Sequence, residues 1–218
     1  MQIFHPSANT LSRLTIFGSF VLLLGPVALT YLVLRSPYQT KVGVILAQPV
    51  PFSHEHHVKG LGIDCRYCHT TVETSAFAGL PPTHTCMTCH SQIWSAAEML
   101  EPVRASLAKN RPLAWSRVHN LPDFVYFNHS IHVQKGVGCA SCHGRVDQMP
   151  ITWKAEPMTM EWCLNCHRNP ELHLREQRDI FNMAYAPSEQ EQLELGSKLV
   201  KRNHIEVDRL INCSVCHR

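Results

Sequence analysis

One short pattern, Cys-x-x-Cys-His, recurs five times and constrains this chain more than any other feature of its sequence. The copies contain all 10 cysteines and span residues 65–69, 86–90, 139–143, 163–167 and 213–217. Two thiols at this spacing form thioethers to one porphyrin, and the imidazole that follows binds its iron. The pattern therefore predicts five covalently bound haem c groups, held by Cys65, Cys68, His69, Cys86, Cys89, His90, Cys139, Cys142, His143, Cys163, Cys166, His167, Cys213, Cys216 and His217.

Paired cysteines also occur in disulfide frameworks and zinc sites. A histidine after the second cysteine in all five copies argues against both alternatives. Because the 14 prolines and 10 glycines leave few long amphipathic runs, we expect a mainly α-helical and irregular fold with little regular secondary structure, organised by haem. The formal net charge of +3 comes without a long basic run, so we expect no nucleic-acid partner.

The N-terminal part of the chain contains an apolar run. Residues 1–13 form a short leader, and residues 14–34 carry no charged side chain. These 21 residues would span about 30 Å as a helix, the thickness of a bilayer core. A cleaved signal peptide is the alternative, but no small-residue cleavage site follows. We expect a single-pass anchor in the cytoplasmic membrane, a cytoplasmic leader, a connector at 35–51 and a haem domain at 52–218 on the periplasmic side, where c-type attachment takes place.

The haem region repeats internally. The segment FNHSIHVQKGVGCASCH, residues 127–143, matches FSHEHHVKGLGIDCRYCH, residues 52–69, at a phenylalanine and two histidines. We expect two di-haem modules, residues 52–118 and 119–187, followed by a segment, 188–218, that carries the fifth haem.

The duplicated Phe-x-His-x-x-His pattern also predicts distal iron ligands. Four of them are His54, His57, His129 and His132. The fifth place stays open between His119, which lies among aromatic residues, and Met160, whose thioether would raise the haem potential. His204 and Met149 are weaker candidates. We expect surface positions or contacts with the ligands for His56, His84 and His173.

Two helices are predicted in the haem region. The sequence Ser188-Glu189-Gln190-Glu191 fits a capping box that opens a helix to about Arg202. A second helix is expected from Cys86 through Leu100, with Pro102 ending or kinking it.

The segments FSHEHHVKGLGIDCRYCH, RVHNLPDFVYFNHSIHV, CHGRVDQM and MTMEWCLNCHR, behind one apolar segment, resemble the pentahaem cytochrome c subunit of bacterial alternative complex III, which is related to the cytochrome c7 and c3 class of multihaem modules. This resemblance implies a membrane complex that oxidises quinol, usually menaquinol, and reduces a periplasmic electron acceptor. It also implies partner subunits: an iron–sulfur subunit, polytopic quinol-binding subunits and a monohaem cytochrome c.

We therefore expect an electron-transfer subunit of an oxidoreductase complex, with no catalytic residue of its own. One alternative is a stand-alone membrane-anchored quinol dehydrogenase of the NapC/NirT type. Another is a multihaem reductase, which needs an iron with an open position and is often marked by an attachment motif that ends in lysine. None of the five motifs ends in this way.

Overall fold

The computed structural model describes residues 4–217, so the first three residues of the predicted leader and the last residue of the predicted haem domain lie outside the described residues. The chain divides into two compact units. The first ends at Lys41 and the second begins at Val42. This boundary lies inside the segment 35–51, which the sequence predicts as a connector.

The first unit contains one long helix, α1, Ser7–Arg35, and a short helix, α2, Pro37–Thr40. Helix α1 has 29 residues and a mean hydropathy of 2.1 over its most apolar window, and it buries none of its side chains. Its length of about 44 Å exceeds a bilayer core of about 30 Å. Length and composition suit a membrane anchor and a signal sequence alike.

The second unit is built from short helices and irregular chain. In the described residues it has no β-strand, only isolated bridges between Val42 and Lys154, Ile45 and Trp153, and Val137 and Leu174. Its helices are a π-helix, π1, Glu55–Gly60, and α3 Cys65–Cys68, α4 Thr83–His90, α5 Glu101–Ala108, α6 His129–Gln134, α7 Ala140–His143, α8 Met160–Arg168, α9 Glu189–Arg202, α10 Val207–Leu210 and α11 Cys213–Cys216. Single 3-10 turns lie at Glu98–Leu100, Val146–Gln148, Pro170–Leu172 and Gln177–Asp179.

The protein part of the core is small for a unit of this length. Two clusters of buried apolar side chains form it: Val50, Leu100 and Val103, and Val72, Val133 and Ile180. Cysteine side chains of the attachment motifs pack against both clusters. Cys86 and Cys139 therefore lie at the edge of the core, where a porphyrin bound to them would extend the apolar interior.

Helix α9 confirms the predicted capping box. The Ser188 hydroxyl accepts a hydrogen bond from the Glu191 N–H, and the Glu191 carboxylate accepts one from the Ser188 N–H. The helix packs closely on the turn Pro170–Leu172, because Gly196 lies against the Glu171 carbonyl. A Cβ at Gly196 would lie 1.9 Å from that oxygen.

The predicted helix from Cys86 through Leu100 is wrong. Helix α4 begins earlier, at Thr83, and ends at His90. Trp94 then adopts a positive φ of 55°, which a continuing helix does not allow. Pro102 does not end a helix but lies in the first turn of α5, where a missing N–H costs nothing.

Candidate haem-binding sites

Each attachment motif lies in one turn of helix. Motifs one, three and five are single turns, α3, α7 and α11, in which the N–H of the histidine donates to the carbonyl of the first cysteine at 2.9 Å. Motifs two and four form the last turns of α4 and α8. Because one turn brings residues i, i+3 and i+4 to the same side, the two sulfurs and the imidazole of every motif share one face.

All ten cysteines are free thiols, and most are half-buried. Burial is the largest cause that raises the pKa of Cys139 to about 11, of Cys142 to about 12 and of Cys166 to about 11. Neighbouring thiols add to each shift. These side chains are therefore neutral at pH 7, which suits an apolar surface that faces a porphyrin.

The histidines are oriented by hydrogen bonds at Nδ1. In seven of them a backbone carbonyl accepts the bond at 2.7 to 3.1 Å, which makes Nδ1 the protonated nitrogen and leaves the Nε2 lone pair for a metal. The seven are His57, His69, His90, His129, His132, His167 and His217. Four of these belong to attachment motifs and three to the predicted distal set.

The distance between two facing imidazole rings shows whether a haem iron fits between them. A metal–nitrogen bond of about 2 Å plus about 1.2 Å from the nitrogen to its ring centre, on both sides, gives about 6.4 Å between ring centres. Three pairs of rings match this separation: His57 and His90 at 6.2 Å, His132 and His167 at 6.2 Å, and His129 and His143 at 6.4 Å. Each pair joins one predicted distal histidine to one proximal histidine, so the residues fit the group.

The duplicated Phe-x-His-x-x-His pattern forms the same local structure twice. The Phe52 ring meets His54 edge-on at 4.9 Å and stacks on His57 at 4.4 Å. In the second copy, Phe127 meets its first histidine edge-on at 4.8 Å and stacks on the second at 4.6 Å. The phenylalanine therefore fixes both imidazoles, although the helix is π1 in the first copy and α6 in the second.

Five imidazoles gather around the first and third motifs: His54, His69, His119, His129 and His143. The His119 ring lies 4.3 Å from the His143 ring, which is too close for an iron between them. Its Nε2 is buried without a hydrogen-bond partner. Three distal candidates thus surround two proximal histidines.

Burial keeps three members of this group neutral. It is the largest cause that lowers the pKa of His143 to about 3 and of His54 and His119 to about 4, and neighbouring imidazoles and, for His119, Lys154 make smaller contributions. Neutral imidazole is the form that binds iron. The His54 Nδ1 lies 2.9 Å from the Thr152 hydroxyl, a partner that no sequence pattern pointed to.

The fifth motif has a different environment. In the described part of the chain, His217 makes its ring contact with Phe124, at 5.8 Å, and not with another imidazole. Among the sequence-predicted candidates, Met160 is 66 % exposed and Met149 is 2 % exposed. His204 has a positive φ of 49° just after α9.

The remaining histidines lie outside the facing pairs. His56 stacks on Trp94 at 5.8 Å, and His173 lines a cavity of about 400 Å³ next to Arg175. Arg175 is 7 % exposed and donates to the carbonyl of Asn182 and, weakly, to the Ser141 hydroxyl. Sequence reasoning missed Arg175, since an isolated arginine gives no signal of burial.

Helical turns with repeated Cys-x-x-Cys-His motifs and facing imidazoles define a multihaem c-type cytochrome, mainly helical and irregular as predicted. Residues 131–218 match the sequence family described as Cytochrome c3, which implies covalently bound haem c in this domain. The chain is also 32 % identical over 148 residues to the menaquinone reductase multihaem cytochrome c subunit of Nitratidesulfovibrio vulgaris (strain Hildenborough). The match covers 58 % of this chain and 70 % of that relative. The chain therefore belongs to the same family as this multihaem cytochrome c subunit.

Proposed function

We propose that this chain is a membrane-anchored pentahaem cytochrome c that passes electrons between a quinone-linked centre and a periplasmic carrier, as a subunit of a complex of the alternative complex III type. The observation that carries this proposal is the set of imidazole rings that face one another at 6.2 to 6.4 Å. Five of these six rings have their Nδ1 bonded to a backbone carbonyl. Haem c, when bound, supplies one-electron transfer at iron.

In this proposal each motif attaches one haem, and its histidine is the proximal ligand. From the facing pairs we propose distal ligands for three motifs: His57 for the second, His129 for the third and His132 for the fourth. We propose His54 for the first motif, because it belongs to the same group of imidazoles as His69. His119 and Met160 stay candidates for the fifth distal ligand. In this proposal each di-haem module binds two haems, and the C-terminal segment binds the fifth.

The chain's own residues tune these sites in two ways. Carbonyl acceptors such as Ser53 and Asn128 hold Nδ1–H, which fixes the ring orientation and makes Nε2 more basic. Burial of His132 and His143 excludes water from these two rings and lowers their pKa, which keeps them neutral. Two imidazole ligands on one iron favour a low-spin state without an open position, which suits electron transfer and not binding of a small substrate.

The anchor part of the proposal rests on helix α1. Its charge-free segment at 14–34 has the length of a membrane span, and its last turn ends in Arg35, whose guanidinium lies over the Tyr31 ring at 4.5 Å. Aromatic and basic side chains at the end of an apolar helix are typical of a membrane interface. We propose that the haem domain follows on the periplasmic side.

The direction of electron flow has two candidates. The resemblance to alternative complex III favours oxidation of menaquinol, which releases two electrons and two protons for each quinol, and reduction of a periplasmic carrier. The name of the relative, a menaquinone reductase subunit, favours the reverse direction, in which menaquinone is reduced. We propose the partner classes that the resemblance implies: an iron–sulfur subunit, polytopic quinone-binding subunits and a monohaem cytochrome c.

Purification from detergent-solubilised membranes tests the proposal. We expect the chain to co-purify with other subunits and to contain five haems by pyridine haemochrome assay. Menaquinol should reduce the haems in the complex but not in the isolated chain, since α1 carries no Asp, Glu, His, Lys or Arg side chain at 14–34 to manage quinol protons. Fast reduction of the isolated chain would instead identify a stand-alone quinol dehydrogenase. Two rates in the complex distinguish the directions: the oxidation of pre-reduced haems by menaquinone and the reduction of oxidised haems by menaquinol. A faster oxidation by menaquinone would favour the reverse direction.

A further inference from the structure

The first and second attachment motifs are in direct contact. The Tyr67 hydroxyl, inside the first motif, lies 2.8 Å from the Thr88 hydroxyl, inside the second. Burial raises the pKa of the Cys68 thiol, and the neighbouring Cys86 thiol raises it further. The first and second motifs therefore adjoin.

The first motif also adjoins the segments around the third. The Arg66 guanidinium, inside the first motif, lies over the Phe181 ring at 4.7 Å, and Phe181 packs on the same core cluster as Cys139. The Ala76 carbonyl, shortly after the first motif, accepts from the backbone N–H of His129 at 3.2 Å and bonds its Nδ1 at 2.8 Å, and the His129 ring faces the histidine of the third motif at 6.4 Å. Burial raises the pKa of Cys139, and the Cys65 thiol is the next largest cause.

The chain of contacts then continues to the fourth and fifth motifs. Two histidines of α6 face the third and fourth motifs, since the His129 ring lies 6.4 Å from His143 and the His132 ring lies 6.2 Å from His167, so these two motifs adjoin. The His167 Nδ1 lies 3.0 Å from the Leu210 carbonyl, which binds the fourth motif to the segment before the fifth. Helices α8 and α10 pack together at this place.

The second motif, at the other end, has no such neighbour beyond the first. Within residues 4–217, residues 86–90 form no hydrogen bond or ion pair with the third, fourth or fifth motif. Their other contacts are with the cluster of Val50, Leu100 and Val103 and with the imidazole of His57.

We infer that the five haem groups follow one another in space in the order second, first, third, fourth and fifth motif, so that the second and fifth motifs are the two ends of the relay. This inference rests on the proposed function, because it requires a haem at every motif. One electron at a time enters at one end from the donor, which is oxidised, and leaves at the other end to the acceptor, which is reduced. The donor and acceptor classes are the quinol–quinone couple, acting through a partner subunit, and a periplasmic one-electron carrier.

A matched pair of variants in the purified complex separates this order from the order of the sequence. Cys65→Ser/Cys68→Ser removes the first haem, and Cys86→Ser/Cys89→Ser removes the second. In the inferred order, loss of the first haem isolates the second, whereas loss of the second leaves four connected haems. If the haems followed the sequence, the two outcomes would be exchanged.

The readout is the magnetic coupling between ferric haems, followed by EPR relaxation, after pyridine haemochrome analysis shows four haems in each variant. We expect one slowly relaxing, uncoupled low-spin signal in Cys65→Ser/Cys68→Ser and no such signal in Cys86→Ser/Cys89→Ser. The exchanged result, an uncoupled signal in both variants or one in neither would overturn the inferred order.

Iron positions in the unmodified complex provide a second measurement if a variant does not fold. In a cryo-EM map, the iron of the first motif should have the irons of the second and third motifs as its two nearest neighbours. Any other neighbour would overturn the order while leaving the proposed function intact. Fewer than five haems in the unmodified chain would instead contradict the proposed function itself.

Discussion

Replacing one of two adjacent histidines in π1 should change the spin state of one iron. His57 faces His90 at 6.2 Å, the separation expected for two rings that share a metal, whereas its neighbour His56 stacks on Trp94 and faces no proximal histidine. Removing the His57 ring leaves the iron of the second motif with one imidazole. His57→Ala should therefore make about one fifth of the haem iron high-spin, because the chain has five attachment motifs.

The measurement is the high-spin ferric signal in EPR, scaled to total haem by pyridine haemochrome assay. His56→Ala is the matched control: it lies on the same helix, removes the same group and should leave all irons low-spin. Each variant should keep its full haem content, since neither changes a cysteine. If His57→Ala stays fully low-spin, or if His56→Ala gives an equal high-spin signal, the assignment of ligands from ring separation is wrong.

Further predictions concern folding and processing. Gly196→Ala should lower the stability of the haem protein by about 1–3 kcal/mol, because its Cβ would meet the Glu171 carbonyl, whereas Ser197→Ala on the same helix should have little effect in thermal unfolding. Hydrogen bonds from Ser188 lower the pKa of Glu191. The capping box therefore stabilises the protein at pH values above the ordinary glutamate pKa, and this stabilisation is lost as pH falls through the lowered pKa. The stability of Ser188→Ala should depend less on pH than that of wild type when both are unfolded with acid. A haem-free chain should show no cooperative unfolding by circular dichroism, because the described residues bury only ten apolar side chains. Intact mass of the purified protein should match the full chain plus five covalently bound haems, allowing for methionine removal, and a mature N-terminus near residue 48 would contradict the anchor.

Local patterns predicted the local structures correctly where all interacting residues lie within one or two turns. The capping box of α9 is complete within four residues, from Ser188 to Glu191, and the helix forms as predicted. The predicted helix after Cys86 failed for a reason that the pattern did not contain. The chain turns at Trp94, and Leu100 enters a cluster with Val50, which is distant in the sequence.

The sequence alone predicted the attachment chemistry, because each Cys-x-x-Cys-His motif is a local unit of five residues that lies in one helical turn. It also predicted that the same pair of histidines occurs twice, since the duplicated phenylalanine lies within six residues of each pair and packs on both of its rings. The tertiary structure decided which imidazole faces which and which motifs adjoin. Those facts depend on contacts such as Tyr67 with Thr88, 21 residues apart, and His54 with Thr152, 98 residues apart. Separations of this size are set by the packing of the whole domain, and no local spacing encodes them.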